Sequence, residues 1–446
     1  MQPKPETIAA IATAPGRAGV GIVRVSGDNL APFARAILGK SPVPRYATLA
    51  PFLEADDQVI DQGLSIYFPA PHSYTGEDVL ELHGHGGMAV LQLVLQRCLQ
   101  LGARMAEPGE FTKRAFLNNK LDLAQAESVA DLIEASTSQA ARCAVRSLQG
   151  AFSQAIHHLV EGLIQLRILV EAMLDFPEEG VESLDASDRD KRLDYLLIEL
   201  ENILGLALQG SLLREGAHFV LIGQPNVGKS SLLNCMSGEE VALVSEIPGT
   251  TRDVIRQSIQ IGGVPLHIID TAGLHDSTDV VEQMGIARTR NTMKQADAAL
   301  IIMDVDRGMD EKDREISDEL PPDIPRLYIF NKIDLHDLPA RLELRGKEVH
   351  IYLSAKTGAG LNLLQDKLLD LIGWQQQSGV FMARERHLYA LKNARENLHR
   401  AARETRRMEI FAEELRIAQE SLNSITGEFT ADDLLGEIFS NFCIGK

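Results

Sequence analysis

The sequence predicts a chain of three parts: an N-terminal α+β domain, an all-α portion supplied discontinuously by two stretches, and an α/β domain inserted between them. Three observations carry this. The chain has 446 residues, room for about three domains of ~150 residues each. Its apolar periodicity changes type along its length, from short β-branched runs to helical spacing, then to alternating strand and helix, then back to helix. A stretch rich in Pro, Glu, Gly, Ser and Asp, residues 176–190, interrupts the first helical region and reads as a linker. With 45% apolar residues the composition is that of packed cores, which excludes a disordered or fibrous chain.

Within residues 1–118 the runs TIAAIAT, GIVRVSG, LSIYF and DVLELHG are strand-like and are separated by turn chemistry. GRAGVG is not a dinucleotide fingerprint, because its glycines run G-x-x-G-x-G and a strand follows it, so no nicotinamide cofactor is expected. In residues 119–213, Leu121, Ala124, Val129, Leu132 and Ile133 recur at helical spacing with almost no Gly or Pro, and a further helix is expected near 190–213. Residues 214–374 alternate HFVLIG, LHIID, AALIIMDVD, RLYIF and HIYLSA with helical stretches, the pattern of a βαβ parallel sheet. Residues 375–446 return to helix from about 384 to 424.

With 63 acidic against 44 basic residues the net charge is −19, so any contact with a phosphate backbone must use a local patch. One stripe qualifies by spacing. Lys392, Arg395, His399, Arg403 and Arg406 recur every three or four residues, with Leu391, Leu398 and Ala402 on another face. It is either a solvated face pairing with Glu396 and Glu404 or a phosphate-tracking patch. Four separated cysteines with no CxxC pair read as cytosolic thiols rather than a disulfide or zinc framework, and Cys443 is either a nucleophile or an inert thiol. His83 and His85 read as loop histidines rather than metal ligands. With no run of about 18 apolar residues and no signal peptide in MQPKPETIAA, the expectation is a soluble, cytoplasmic chain without a membrane span.

The strongest chemistry follows HFVLI. GQPNVGKSS is a complete GxxxxGK[ST] between a strand and a helical segment. Gly223 and Gly228 let backbone amides approach phosphate oxygens, Lys229 brings a point charge to the β- and γ-phosphates, and Ser230 offers a hydroxyl to magnesium. PGTTRD (248–253), DTAG (270–273), NKID (331–334) and SAK (354–356) follow in order, which together specify GTP hydrolysis. The Asp334 carboxylate suits both guanine N–H groups, whereas adenine would leave it unpaired. Asp270 can hold the magnesium shell, Gly273 can donate its amide to the γ-phosphate, and Thr251 can complete the metal. Leu274 stands where Ras-like enzymes carry the glutamine that orients the attacking water, so another group must do this; Asp276, Asp279 and Glu282 are the nearby acids.

These motifs, together with PGRAGVGIVRVSG, TGEDVLELHGHGG, FTKRAFLNNKLDLAQAE and the terminal CIGK, resemble the MnmE (TrmE) family of tRNA modification GTPases along essentially the whole chain. The resemblance implies a folate-binding α+β domain, a discontinuous helical domain, and an inserted Ras-like P-loop GTPase domain that dimerises across its nucleotide face with potassium bound. It implies Asn226, Ser245, Ile247 and Thr250 as the potassium set, a cation doing the work of an arginine finger, and Glu282 as the water-orienting group beside the catalytic Lys229. The implied GTP-binding set comprises Asn226, Val227, Gly228, Lys229, Ser230 and Ser231; Ser245, Glu246, Ile247, Pro248, Gly249, Thr250 and Thr251; Asp270, Thr271, Ala272 and Gly273; Asn331, Lys332 and Asp334; and Ser354, Ala355 and Lys356. Ser230 and Thr251 are the implied magnesium ligands. Arg24, Glu81, Lys120 and Lys446 match the folate pocket, where cations suit the glutamate tail and a carboxylate the pterin amines. The implied partners are tRNA, a second copy of the chain, and the FAD-carrying flavoprotein MnmG in a hetero-oligomer. The implied product is an aminomethyl or carboxymethylaminomethyl group at C5 of the wobble uridine, with 5,10-methylenetetrahydrofolate as one-carbon donor and 5-formyltetrahydrofolate as a binding analogue. A regulatory GTPase that binds ribosomal RNA without modifying it would carry the same nucleotide motifs; the N-terminal blocks and the CIGK tail separate the two.

Overall fold

The computed structural model describes residues 6–175, 182–236, 256–270, 296–309, 311–318, 320–346, 348–427, 438–440, 442, 443 and 445. The chain divides into two compact units. The first comprises Met1–Ala130, Ile156–Glu161 and Arg416–Lys446, and the second Asp131–Ala155 and Gly162–Leu415.

In the first unit, β1 (Ile8–Ile11), β2 (Ala18–Gly27), β3 (Thr48–Leu53), β4 (Val59–Phe68), β5 (Asp78–Gly86) and β6 (Arg104–Met105) form a sheet of order β3-β4-β5-β2-β1-β6. Its pairs are antiparallel except β1 with β6. The strand-like runs of the sequence are therefore strands, and alternation sorts their faces. Val23, Val25, Leu80 and Leu82 pack with Ala34 and Ile37 of α1 (Ala31–Leu38) and with Leu91 and Val94 of α2 (Met88–Gln100). Arg24 and Glu81, each offset by one residue, belong to the other face. That face also holds Ile8 and Ala10 against Phe111 of α3 (Glu110–Leu117). The buried Arg114 guanidinium ties α3 to the sheet, reaching Glu77 at 2.8 Å and Glu110 at 2.9 Å. Burial pushes the Glu110 carboxyl up, but hydrogen bonds from Arg104, the Glu107 amide and Arg114 outweigh it and bring it to about 2. His83 and His85, expected in a loop, lie in β5, bonded to Glu81 at 3.1 Å and to Asp61 at 2.8 Å; pairing with β2 carries the strand on through them to Gly86. Among the described residues no group of three or more His, Cys, Asp or Glu could hold a metal. Cys98 and Cys143 are buried, and desolvation pushes both thiols up to about 12.

In the second unit, β7 (Ala217–Ile222), β8 (Arg256–Ile261), β9 (Val264–Asp270), β10 (Ala298–Asp304), β11 (Arg326–Asn331), β12 (Arg341–Arg345) and β13 (Glu348–Tyr352) form a sheet of order β12-β13-β11-β10-β7-β9-β8. The five inner strands are parallel and the two edges, β8 and β12, antiparallel. Strand order reverses direction at β7, between β9 and β10, which opens a crevice at the carboxyl ends of the strands. The two central strands, β7 and β10, are buried along almost their whole length, as strands covered on both faces require. One face packs on α8 (Lys229–Met236) and α10 (Leu361–Leu371), while α9 (Glu311–Asp318) is a further surface helix.

The helices also correct the sequence reading at two points. The segment taken as a linker is helical from Glu182, because α7 runs Glu182–Glu215; nothing after Gly180 breaks a helix, and Asp188 pairs with Arg192 one turn on at 2.7 Å. The helix expected over 384–424 is two, α11 (Glu385–Arg403) and α12 (Met408–Thr426). The intervening turn has its Thr405 carbonyl accepting from the Arg189 guanidinium at 3.1 Å; with no Gly or Pro in that stretch, the apolar period runs through the stop. The remaining helices, α4 (Leu123–Glu134), α5 (Ser138–Leu148) and α6 (Ala151–Asp175), fall in the stretch read as helical from its spacing, and α6 runs 25 residues. By length and composition Ser187–Glu215 could cross a bilayer. Its Leu193, Leu196, Leu200, Ile203, Leu204 and Ala207 are buried at helical spacing, the stripe of a packed core helix.

Candidate functional site

β7 ends at Ile222, and the next six residues turn tightly into α8. Two glycines make this possible. A Cβ on Gly223 would stand 2.5 Å from the Ile302 carbonyl, and one on Gly228, whose φ is 100°, would stand 2.3 Å from the Asn331 side-chain amide. Asn226 adopts a left-handed φ of 66° and is exposed. The first turn of α8 then presents backbone amides and the positive end of its dipole to an anion. Lys229 is buried at 9% exposure, with its ammonium donating to the Gly223 carbonyl at 2.5 Å, across the loop that would hold the phosphates. Ser230 and Ser231 are exposed.

The base side is built from β11 and the turn after β13. Asn331, 2% exposed, ends β11. Its amide donates to the Val227 carbonyl at 2.8 Å, and its oxygen accepts from the Ala355 amide at 2.9 Å. One side chain thus pins the phosphate loop to the SAK loop. The Ser354 hydroxyl donates to Asp334 at 2.6 Å and accepts from the Thr357 amide at 3.2 Å. This orients the Asp334 carboxylate and leaves it acceptor capacity for a base edge. Lys332, at a left-handed φ of 69°, pairs with Asp304 at 2.9 Å. That hydrogen bond holds the Asp304 carboxyl below its usual range. Asp304 was missed by sequence reasoning; the signal was a carboxylate ending the strand beside NKID. Lys356 is exposed.

The structure therefore gathers Asn226–Ser231, Asn331, Lys332, Asp334 and Ser354–Lys356 around the crevice. Asp270 ends β9, and its side chain lies outside the described residues, as do Ser245–Thr251, Thr271–Gly273, Glu282 and Lys446.

In the first unit Arg24 and Glu81 are register partners across β2 and β5, joined at 3.0 Å. Arg24 lies 5.5 Å from the Tyr74 ring centroid and 5.7 Å from that of Phe111, and it donates to the Gly445 carbonyl at 3.4 Å. Both Glu81 oxygens are engaged, one by Arg24 and one by His83. The exposed Lys120 reaches the Pro71 carbonyl at 3.1 Å, in the loop that carries Tyr74. Cys443 is exposed, and its carbonyl accepts from the Gly109 amide at 3.3 Å.

A phosphate loop at the switch point of a Ras-like sheet, with a guanine-side turn locked to it by one asparagine, defines a P-loop GTPase domain. Residues 7–120 match the family of the GTP-binding protein TrmE N-terminus, and residues 123–443 that of the MnmE helical domain. Proteins named tRNA modification GTPase MnmE are 60% identical over 447 residues in Nitrosomonas europaea and 59% identical over 442 residues in Neisseria gonorrhoeae, with 99% of both chains covered in each case. The chain belongs to the MnmE family of tRNA modification GTPases. Era from Aquifex aeolicus bound to GDP.AlF4- is a solved structure similar over 41% of this chain and 66% of its own, at 23% identity and a TM-score of 0.28; the fold assignment rests on strand order instead.

Proposed function

We propose that this chain is a cytoplasmic, potassium-dependent GTP hydrolase that acts with a flavoprotein of the MnmG kind. Together they add an aminomethyl or carboxymethylaminomethyl group to C5 of the wobble uridine of certain tRNAs, with a reduced folate supplying the carbon. The reading divides the chain into a folate-binding domain (1–118), a helical domain (119–213 and 375–446) and a GTPase domain (214–374), active as a homodimer. The GTP half rests on one observation, the Asn331 link that carries the phosphate loop and the base-side turn as one piece.

The donor chemistry fits the implied ions. Ser230 is an exposed hydroxyl in the first turn of α8, a hard oxygen of the kind magnesium takes. Asn226 offers an exposed amide oxygen in a strained turn, a neutral donor suited to potassium. When bound, these cations supply positive charge to the phosphate oxygens. The chain's own residues do the rest. Lys229 leaves the Gly223 carbonyl for the β- and γ-phosphates, the amides of Gly228 to Ser230 take phosphate oxygens, and Glu282 orients the attacking water. The wobble assignment is tested by mass spectrometry of tRNA nucleosides from cells lacking this protein. The C5-modified wobble uridines are expected to disappear; their persistence at normal levels overturns the modification reading.

For the folate, Arg24 and Lys120 suit carboxylates of the glutamate tail, and the half-buried Tyr74 beside Arg24 offers a ring. A pterin amine would have to share Glu81 with Arg24 and His83. An Arg24→Ala, Lys120→Ala double variant is expected to lose calorimetric heat with 5-formyltetrahydrofolate, without any need for GTP. Heats equal to those of the unsubstituted protein remove the assignment.

A further inference from the structure

A concave surface between α7 and α11 belongs to neither site described above. It is a cavity of about 560 Å³ lined on the α11 side by Lys392, Arg395, His399, Arg400 and Arg403. Two carboxylates share it, Glu201 of α7 and Glu396 of α11. Four permanent cations thus face two anions, inside a chain whose net charge is −19. The pairing does not use up the cations. Arg400 meets Glu396 at 2.5 Å, and Arg395 meets Glu201 at 3.5 Å. Among the described residues Lys392, His399 and Arg403 have no hydrogen-bond or ion-pair partner.

The stripe is also unfavourable for the helix that carries it. Lys392 and Arg395, and Arg400 and Arg403, are like charges one turn apart, and such neighbours destabilise a helix. The core does not require them, because α11 is packed through Ala390, Leu391, Ala394, Leu398 and Ala401 on its other side. The sequence reading had Ala402 on that packed side and Arg406 in the stripe. Instead Ala402 is exposed, and Arg406 lies in the turn beyond the end of α11. One turn before Lys392, Tyr389 is 68% exposed on the same side of the helix. From Tyr389 to Arg403 the helix rises about 21 Å, the length of about six stacked nucleotides.

We infer that the groove between α7 and α11 binds the phosphate backbone of an RNA strand. Lys392, Arg400 and Arg403 contact phosphates, and Tyr389 stacks on an unpaired base. Three of the four permanent cations are arginines, whose planar fork matches phosphate oxygens. An aromatic face next to a row of cations is the combination that single-stranded nucleic acid takes, and a stripe for an acidic protein segment would not call for it. The inference rests on the tRNA reading above and names where that RNA is held.

The test measures fluorescence anisotropy of labelled, unfractionated tRNA with the full-length protein from low to high salt. A Lys392→Gln, Arg403→Gln double variant is chosen because both side chains are exposed and unpaired. It is expected to bind about tenfold more weakly, for all tRNAs alike, with the slope of log K against log salt lowered by one to two units. GTP hydrolysis is expected to be unchanged. Glu201→Gln, which removes an anion from the groove, is expected to tighten binding about threefold, a change that a merely structural ion pair would not produce. If the unsubstituted protein binds tRNA and both variants match it in affinity and salt slope, the groove assignment is overturned while the tRNA reading stands. If the unsubstituted protein binds no tRNA at any salt, both fall. Loss of flavoprotein binding in the double variant, with RNA binding intact, overturns the assignment in favour of an acidic protein partner.

Discussion

Replacing Asn331 with alanine is expected to weaken GTP and GDP binding together, by about thirtyfold or more. The side chain is buried, and its two ends satisfy the Val227 carbonyl of the phosphate loop and the Ala355 amide of the base-side turn. Truncation leaves both backbone groups without a partner. Each costs about 1–3 kcal/mol when buried and unpaired, so the loss reaches at least about 2 kcal/mol, which is about thirtyfold in affinity. Both nucleotides need the same two loops, so the ratio of their affinities stays constant. Calorimetric titration decides it: affinities within threefold of the unsubstituted protein would show that the loops hold their geometry without this link. Lys332→Ala is the internal comparison. Its ion pair with Asp304 is partly exposed, with side chains 32% and 17% accessible, so its removal is expected to have the smaller effect.

The second large effect concerns turnover rather than binding. Leu274 follows DTAG, and an apolar side chain cannot orient water, so hydrolysis needs both a substitute for the Ras-type glutamine and a positive charge at the γ-phosphate. Replacing potassium with sodium is expected to lower kcat on the order of a hundredfold, and Asn226→Ala to abolish the difference between the two cations. In saturating potassium, Glu282→Ala is expected to lower kcat by a similar factor with GTP affinity nearly unchanged, because a water-orienting group acts in the transition state. Asp276→Ala and Asp279→Ala serve as controls. Equal kcat in sodium and potassium would eliminate the cation reading. A Glu282→Ala variant with weak binding and normal turnover would remove the water-orienting role from that residue.

How much of this was legible beforehand can be followed residue by residue. GQPNVGKSS announces a phosphate loop from nine contiguous residues, because glycine conformational freedom, helix-terminal amides and one lysine are local properties. NKID and SAK announce guanine recognition for the same reason. The N-terminal strands follow from their apolar alternation, and the family follows from the blocks that flank the nucleotide motifs. What joins those motifs is not local. Asn331 reaches Val227 across 104 positions and Ala355 across 24, and Lys332 reaches Asp304 across 28.

The sequence by itself determined the chemistry of each segment: which residues can cradle phosphate, which carboxylate suits guanine, and which faces are apolar. Only the tertiary structure decided the partners. The order β9-β7-β10-β11 brings Asn331 beside the phosphate loop, and the same spatial neighbourhood turns Lys332 onto Asp304. It also ended α11 at Arg403, where the period continues, extended α7 back into a polar stretch, and left Lys392 and Arg403 facing a groove instead of a flat surface. The physical reason is the same in each case. Periodicity reports which side of an element avoids water, whereas a hydrogen bond, a helix stop or a groove depends on which distant backbone arrives opposite that side.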